Sequence, residues 1–186
     1  MIADFFPPTD VGWANAQPDA VAEADFTVNG TSLSFKGVGY HDKNWGDIPF
    51  WEAVQSWYWG HARLGPYSLV WFDTQARDGK EYYSGYVTKD GKIIEGSCAD
   101  KAVVARPWGK NSQYPPVPET GAPEGFSLTF DLGKGETFTA NVTIGVKTFD
   151  FGYYQRFIGD IQGGPSCGGH FEGRTLLEQF KLPLQL

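Results

Sequence analysis

The sequence lacks the features by which several large functional classes are recognised. It has no basic cluster, and its 15 Lys and Arg against 22 Asp and Glu give a net charge of -7, which argues against nucleic-acid binding through phosphate neutralisation. No apolar stretch approaches the ~20 residues of a membrane-spanning helix. Residues 1–8 have neither the basic nor the apolar region of a signal peptide. We therefore expect no nucleic-acid partner and no membrane span.

Residues for metal or nucleophilic chemistry are also scarce. The three histidines are dispersed, and neither Cys98 nor Cys167 has a neighbouring ligand in the sequence, so the standard metal-binding spacings are absent. The chain has no Gly-x-Ser-x-Gly turn and no glycine-rich phosphate loop, and Ser68 has no base close to it in the sequence. We therefore expect no cofactor and no metal. The two cysteines can either pair or remain thiols.

The cellular compartment stays open. The missing signal peptide makes the cytoplasm the default location. Against this, Asn29-Gly30-Thr31 and Asn141-Val142-Thr143 both fit the N-glycosylation sequon. A further segment upstream of this chain could have carried a secretion signal.

The sequence is instead rich in glycine (24 residues) and in aromatic residues (16%), a balance that favours strands and tight turns over helices. Its 186 residues are enough for one ordinary domain. Residues 1–20 show no periodicity and are predicted to form an extended lead-in. Apolar and polar residues alternate over 22–28 and again over 137–149, as in half-buried strands. Between such runs, Asn29-Gly30 predicts a type I′ hairpin turn.

About eight to ten strands joined by hairpins are predicted over residues 21–186. Five prolines in residues 107–124 indicate a long loop rather than a helix or central strand. Only residues 174–180 could pass for a helical turn. Because closing a meander removes its exposed edges, we expect a single antiparallel up-and-down β-barrel with little helix. A small barrel of this kind can hold one ligand in its mouth.

Five of the seven tryptophans fall within residues 39–73. Tryptophan and tyrosine mixed with polar residues are typical of an apolar ligand cavity with a few polar groups aimed into it. In the strand predicted over 55–63, a period of two places the following side chains on one face: Gln55, Trp57, Trp59, His61 and Arg63. This face either lines a ligand cavity or lies outside near a rim, with the two tryptophans capping the core.

The run from His41 to Gly46 follows a predicted strand and has two interpretations. Asp42 could orient His41 as a general acid or base, and Lys43 or Asn44 could donate a hydrogen bond to a carbonyl oxygen. The alternative is structural, because Asp and Asn bond their own backbone in turns. In that case Trp45 would plug the barrel end.

Two further regions are weaker candidates. Residues 153–156 form a second polar and aromatic cluster, in which Arg156 either contacts a ligand or pairs with a carboxylate. His170 lies in a glycine-rich segment and is predicted to be a structural histidine rather than a ligand contact.

A family resemblance rests on two motifs. These are Gly-Tyr-His-Asp-Lys-Asn-Trp-Gly at 39–46 and Trp-Tyr-Trp-Gly-His-Ala-Arg-Leu-Gly-Pro-Tyr-Ser at 57–68. They resemble the signature of a lipocalin-like family that includes the bacterial carotenoid 1,2-hydratases (hydroxyneurosporene synthases) and fungal Diels–Alderases and hetero-Diels–Alderases. The similarity is strongest to the fungal branch and runs over most of residues 11–75. It implies a lipocalin-like barrel.

The resemblance implies a pericyclase of fungal secondary metabolism, which closes a ring in a hydrophobic polyene or enone without a cofactor. The residues assigned to catalysis are His41, Asp42, Lys43, His61 and Arg63. The residues assigned to substrate binding are Tyr40, Asn44, Trp45, Trp57, Trp59, Tyr67, Trp71 and Arg156. Two alternatives stay open, namely hydration of an isolated alkene, with Asp42 beside His41 as the proton donor, and a carrier of hydrophobic ligands without turnover.

The chain departs from the family in one respect. Members of the family usually have two β domains, with the ligand at or near their junction, whereas this chain resembles the second domain alone. A homodimer or a separate partner domain could then supply the missing half of the architecture. The expected ligand is a hydrophobic small molecule.

Overall fold

The computed structural model describes residues 3–6 and 11–183, and nearly all of their regular structure is antiparallel β-strand. The strands are β1 (Ala3–Phe6), β2 (Val11–Val28), β3 (Thr31–Gly46), β4 (Val54–Leu64), β5 (Tyr67–Ala76), β6 (Glu81–Lys89), β7 (Lys92–Ser97), β8 (Val103–Trp108), β9 (Gly125–Asp131), β10 (Thr137–Asp150), β11 (Tyr154–Pro165) and β12 (Phe171–Lys181). One helix, α1 (Phe50–Ala53), precedes β4. The all-β class is confirmed, although twelve strands exceed the eight to ten predicted.

The strands form two sheets. The smaller has the order β1-β2-β3, and the larger has the order β7-β6-β5-β4-β12-β11-β10-β9-β8. A flat sheet of nine strands would be about 40 Å wide. The two edge strands, β7 and β8, are nevertheless joined by residues 98–102 alone, and a linker of this length spans at most about 20 Å. The larger sheet therefore curls on itself, as in a lipocalin-like barrel.

The interior of the curled sheet holds the main hydrophobic core. Along β10, Phe138, Ala140 and Val142 are buried, while Thr139 and Asn141 between them are exposed. The alternation predicted over 137–149 is thus confirmed over 138–143, whereas beyond a register irregularity after Ile144 the strand is exposed, with Val146 58% accessible. Aromatic side chains from facing strands fill the interior, including Phe126, Phe130, Phe138 and Phe157.

The β2–β3 hairpin is the main element of the smaller sheet. Its turn has positive φ at both central residues, 50° at Asn29 and 80° at Gly30, which confirms the predicted type I′ turn. The strand before it is longer than predicted, because it begins at Val11 rather than near residue 22. Two register irregularities against β3, between Ala14 and Ala20, disturb the period of two there. The division of the chain at residue 20 stays a prediction, although β2 crosses that position unbroken.

One segment that could pass for a helical turn by its local sequence is a strand in the structure. Residues 174–180 belong to β12, which pairs with β11 on one side and β4 on the other. Hydrogen bonds to two neighbouring strands satisfy the backbone in a way that a single helical turn would not. The long loop predicted from the prolines is confirmed over residues 109–124. Among the residues that the structure describes, no helix is long and apolar enough to cross a membrane.

Candidate functional site

A cavity of about 1080 Å³ lies between the β2–β3 hairpin and the outer face of the larger sheet. Aromatic side chains are the largest group among its lining residues: Trp13, Tyr40, Phe50, Trp57, Trp59, Phe72, Phe149, Phe151, Tyr153, Tyr154 and Phe180. The hairpin is held against the sheet by ring contacts such as Trp13 with Phe72, whose centroids are 4.9 Å apart. The cavity is thus outside the curled sheet rather than inside it, which corrects the expectation of a ligand in the barrel mouth.

Alternate residues of β4 form one wall of this cavity. Trp57, Trp59, His61 and Arg63 all line it, as the period of two predicts for side chains that share a face. Gln55 is on the same strand but does not line the cavity, because its amide donates to the backbone oxygen of Leu182. This face of β4 therefore lies on the outside of the sheet and lines a cavity, and the binding of a ligand to it stays a prediction.

The placement expected for Tyr67 and Trp71 is wrong. Trp71 pairs with Gly60 across the β4–β5 ladder, and directly opposed residues lie on the same face of a sheet. That face is the interior one, where Trp71 and Tyr67 belong to the main core. Gly60 leaves room for the indole, since a Cβ there would lie 2.1 Å from Cζ2 of Trp71. Neither residue lines the cavity.

Tyr40 on β3 lies in the cavity wall between two acceptors. Its hydroxyl donates to the side-chain oxygen of Asn15 or to Oδ2 of Asp42, which is 3.0 Å away. The same Asp42 oxygen accepts a hydrogen bond of 2.8 Å from Nε1 of Trp13. Burial, together with the negative charge of Asp42, raises the pKa of Tyr40 far above its ordinary value. The hydroxyl therefore keeps its proton at neutral pH.

The residues of the His41–Gly46 run separate in the structure. Asp42 accepts hydrogen bonds from Trp13 and Tyr40, and none joins it to His41 among the described residues. His41, Asp42 and Asn44 line the cavity, whereas Lys43 and Trp45 do not. The ring of Trp45 lies against Gly12 on β2, so it does not plug the barrel end.

His61 is buried in the wall, 8% exposed, with its ring stacked on that of Tyr40 at 5.1 Å. Burial and the nearby Arg63 charge lower its pKa to about 4, against an opposing effect of Asp19. It is therefore neutral at pH 7. Its Nε2 lies 3.5 Å from Oγ of Ser68 and 4.0 Å from Asp19. Because both groups approach the same ring nitrogen, the three residues do not form a catalytic triad, in which the base uses both.

Arg63 is held by a carboxylate that the sequence did not reveal. Nε and Nη2 of Arg63 lie 2.7 and 2.6 Å from Oδ1 of Asp19 on β2. This ion pair connects the hairpin to the larger sheet at one end of the cavity. Asp19 falls in the predicted lead-in, 44 residues from its partner, so no local pattern could have identified it.

Arg156 lines the cavity and pairs with a carboxylate, so the carboxylate interpretation is confirmed and the ligand contact stays a prediction. Its guanidinium donates to Oε1 of Glu178 on β12, at 2.9 Å from Nε, and to the hydroxyl of Tyr154 at 2.7 Å. Tyr154 in turn donates to Glu178 at 2.6 Å. Burial and Glu178 raise the pKa of Tyr154 above its ordinary value. The sequence missed Glu178, which is 22 residues from Arg156.

The arrangement is suited to an apolar ligand that carries a neutral oxygen. Aromatic rings supply the area of contact, including Trp57 stacked on Phe180 with centroids 3.8 Å apart. Hydrogen-bond donors are set among them. Among residues 11–183, no three His, Cys, Asp or Glu side chains come together as metal ligands. His170 is exposed and does not line the cavity.

A family model described as Diels-Alderase-like matches residues 7–106, which include β2, β3 and the cavity-lining strand β4. The chain belongs to this Diels-Alderase-like family. The matched part carries both motifs from which the resemblance was recognised. It also carries most of the residues that hold the hairpin against the sheet, such as Trp13, Asp19 and Tyr40.

Several fungal relatives are similar in sequence. The quinolone epoxide rearrangement proteins penF of Penicillium thymicola and asqO of Emericella nidulans are each 49% identical over 168 residues, which are 90% of this chain and 46% of theirs. The Diels-Alderase ucsH of Acremonium sp is 26% identical over 84% of this chain and 45% of its own. The chain thus spans about half the length of these relatives.

Two solved structures share the fold. CghA with Sch210972 superposes with a TM-score of 0.75 at 13% identity, over 99% of this chain and 57% of that one. Kievitone hydratase from Nectria haematococca superposes with a TM-score of 0.57 at 13% identity, over 95% and 54%. At such low identity these likenesses support the fold alone.

Proposed function

We propose that the cavity catalyses an intramolecular cyclisation or rearrangement of a hydrophobic fungal metabolite, without a cofactor. The observation that carries this proposal is the cavity itself, about 1080 Å³, with aromatic side chains as the largest group of its lining residues and with polar groups set among them. Its lining comes from a chain of the Diels-Alderase-like family. A reaction within one molecule needs a shaped space and a hydrogen-bond donor more than it needs a strong nucleophile.

The first candidate reaction is a Diels–Alder or hetero-Diels–Alder ring closure. The aromatic walls would hold diene and dienophile together as a near-attack conformer, which lowers the entropic part of the barrier. A hydrogen bond from the wall to the dienophile carbonyl would stabilise the charge that develops on its oxygen. Trp57 and Trp59 would shape the bound substrate, and His41, His61 or Arg63 stand at the polar end of the same space.

The second candidate is rearrangement of a quinolone epoxide, and the 49% identity to two proteins of that name favours it. In such a reaction a hydrogen bond from the protein weakens one carbon–oxygen bond of the epoxide. A group then migrates to the electron-poor carbon as that bond breaks, so that the product is an isomer of the substrate. Aromatic faces such as those of Trp57 and Trp59 stabilise positive charge that develops beside them.

We also propose that a second β domain, or a second copy of this chain, completes the site. The chain spans about half the length of its relatives. One side of the cavity is bounded by exposed aromatic side chains, with Phe151 63% and Tyr153 50% accessible. Exposed apolar groups around a ligand site are typical of a surface that another body covers.

The test is to incubate the protein with an epoxide-bearing quinolone and, separately, with a linear substrate that carries both diene and dienophile, in water enriched in oxygen-18. The proposal predicts an isomer of unchanged mass, formed faster than without protein and free of the isotope. A product that has gained labelled water would show hydration instead. Retention of unchanged ligand on the protein, with no acceleration, would indicate a carrier.

A matched variant shows whether any acceleration belongs to this cavity. Trp59→Ala removes a wall residue, whereas Trp51→Ala removes a tryptophan that is 58% exposed and does not line the cavity. We expect a loss of rate in the first variant and a normal rate in the second. Equal rates in both would place the reaction elsewhere on the protein.

A further inference from the structure

One buried donor in the cavity wall makes no hydrogen bond of good geometry, although the Tyr40 hydroxyl lies near it. Trp59 is 6% exposed and lines the cavity, and its indole N–H makes no hydrogen bond among the described residues. Leaving a buried donor unsatisfied is costly, so such groups in a ligand site usually mark an interaction completed on binding. The Trp59 and Tyr40 rings are neighbours, with centroids 5.1 Å apart. The Trp59 N–H also lowers the pKa of the Tyr40 hydroxyl, against the larger effect of burial.

Three other donor side chains of the wall are already engaged. The Arg63 guanidinium is held by Asp19, and the Arg156 guanidinium is held by Glu178. His61 is neutral and turns its Nε2 toward Ser68 and Asp19. The Tyr40 hydroxyl differs because it has one proton and two candidate acceptors, so rotation about its C–O bond can redirect the proton, and the buried Asn15 oxygen is the acceptor that loses it.

We propose that the Tyr40 hydroxyl donates to a neutral carbonyl or epoxide oxygen of the ligand, and that the Trp59 N–H then donates to the Tyr40 oxygen. This assignment rests on the proposed function for its location, since it names the donor within the same cavity. Tyr40 is the catalytic residue, because it touches the substrate. Trp59 is a positioning residue, because it acts through Tyr40.

The surroundings of Tyr40 support this geometry. When the hydroxyl turns toward a ligand, Asp42 keeps its 2.8 Å hydrogen bond from Trp13 and is not left without a donor. The stacked His61 ring, 5.1 Å away, limits movement of the tyrosine ring itself. The Asp42 carboxylate lies 3.0 Å from the Tyr40 hydroxyl, so a neutral ligand oxygen is favoured over an anionic one at this donor.

The experiment compares two ligands of nearly equal shape, 1-tetralone and tetralin, which differ by one carbonyl oxygen. Affinities are measured with wild type, Tyr40→Phe, Trp59→Phe and the control Trp51→Phe. We expect Tyr40→Phe to weaken tetralone binding relative to tetralin about five-fold, the loss of one neutral hydrogen bond. Trp59→Phe should give a smaller loss of the same kind. Trp51→Phe should leave the affinity ratio unchanged.

A spectroscopic signature separates this role from a structural one. The carbonyl stretch of bound, carbon-13-labelled tetralone should lie lower in wild type than in an apolar solvent. It should return toward the solvent value in Tyr40→Phe and part of the way in Trp59→Phe. Tetralin affinity reports whether each variant is folded. If Tyr40→Phe does not fold, the wild-type frequency and Trp59→Phe still decide the question.

Several outcomes would overturn the assignment. These are an unshifted carbonyl band in wild type, no measurable binding of the ketone, or the same affinity ratio in wild type and Tyr40→Phe. The proposed function can fail separately. A shifted band with no accelerated isomerisation would leave the oxygen site in place without the reaction, whereas full isomerisation by Tyr40→Phe would leave the reaction without this donor.

Discussion

The two faces of the larger sheet at β4 and β5 use similar residues for different purposes. On the interior face, Trp71 lies over Gly60 and is 1% exposed within a filled core. On the outer face, Trp57 and Trp59 meet a two-stranded hairpin that touches the sheet at separate points and leaves a cavity between them. The difference shows that an aromatic side chain becomes a cavity wall when its covering element is too narrow to fill the space.

The largest effect should come from breaking the interior face. Trp71→Ala removes the indole that fills the space over Gly60 and should lower the free energy of unfolding by about 3–5 kcal/mol. The exposed Trp51 is the control, and Trp51→Ala should change the free energy of unfolding by less than about 0.5 kcal/mol. Urea unfolding of both variants measures the difference. Similar losses in the two would mean that the interior is not the more tightly packed face.

The interior face also contains a carboxyl group whose titration should oppose folding at high pH. Burial raises the pKa of Asp73 to about 7, although it pairs with Arg106 and accepts from the Ala105 N–H. The pKa of Asp73 in the folded protein lies above its ordinary value. Its contribution to the free energy of unfolding is therefore present at low pH and is lost as pH rises through about 7. Relative to that of Asp73→Asn, the free energy of unfolding of wild type should fall by about 2–3 kcal/mol between about pH 5 and about pH 8.

That prediction is checked by urea unfolding of wild type and Asp73→Asn across this range. Arg106 stays protonated throughout this range, and Glu81, whose pKa is lowered, against the effect of burial, by its hydrogen bonds and by Arg106, stays ionised, so neither group contributes to the change with pH. A stability difference that stays constant with pH would show that Asp73 remains ionised when folded, held by Arg106.

The outer face should respond to pH in the opposite direction. The folded pKa of His61 is lowered to about 4 from 6.5, so its contribution to stability is present above about pH 6.5 and is lost as pH falls toward 4. As pH falls from about 7.5 to about 5, the free energy of unfolding of wild type should decrease by about 2 kcal/mol relative to that of His61→Gln. Titration of the imidazole protons by NMR gives the same pKa directly. A value near 6.5 would mean that the hairpin does not bury this ring.

The smallest effect is expected far from both faces, on the hairpin. Lys36 and Glu23 form an ion pair at 2.5 Å, with 74% and 64% of their side chains exposed. Exposed pairs of this kind contribute little, because solvent screens them. Lys36→Gln should change the free energy of unfolding by less than about 0.5 kcal/mol. A loss above about 1 kcal/mol would show that the hairpin is held more cooperatively than its contacts indicate.

Most of the strand pattern could be predicted because it depends on local chemistry. Alternation over 138–143 and the Asn29-Gly30 turn reflect side-chain periodicity and backbone φ, which neighbours in the sequence determine. The start of β2 and the strand over 174–180 could not be predicted in this way. The first depends on irregular pairing with β3, and the second depends on two flanking strands.

The sequence by itself determined the all-β class, the main turns and the face of β4 that bears Trp57, Trp59, His61 and Arg63. The tertiary structure decided where that face lies and what covers it. It placed Tyr67 and Trp71 in the core. It also brought Glu178 into the cavity wall and set Asp19 and Asn15 against residues of that wall. The reason is that strand periodicity acts over two residues, whereas sheet curvature and long-range ion pairs depend on strands far apart in the chain.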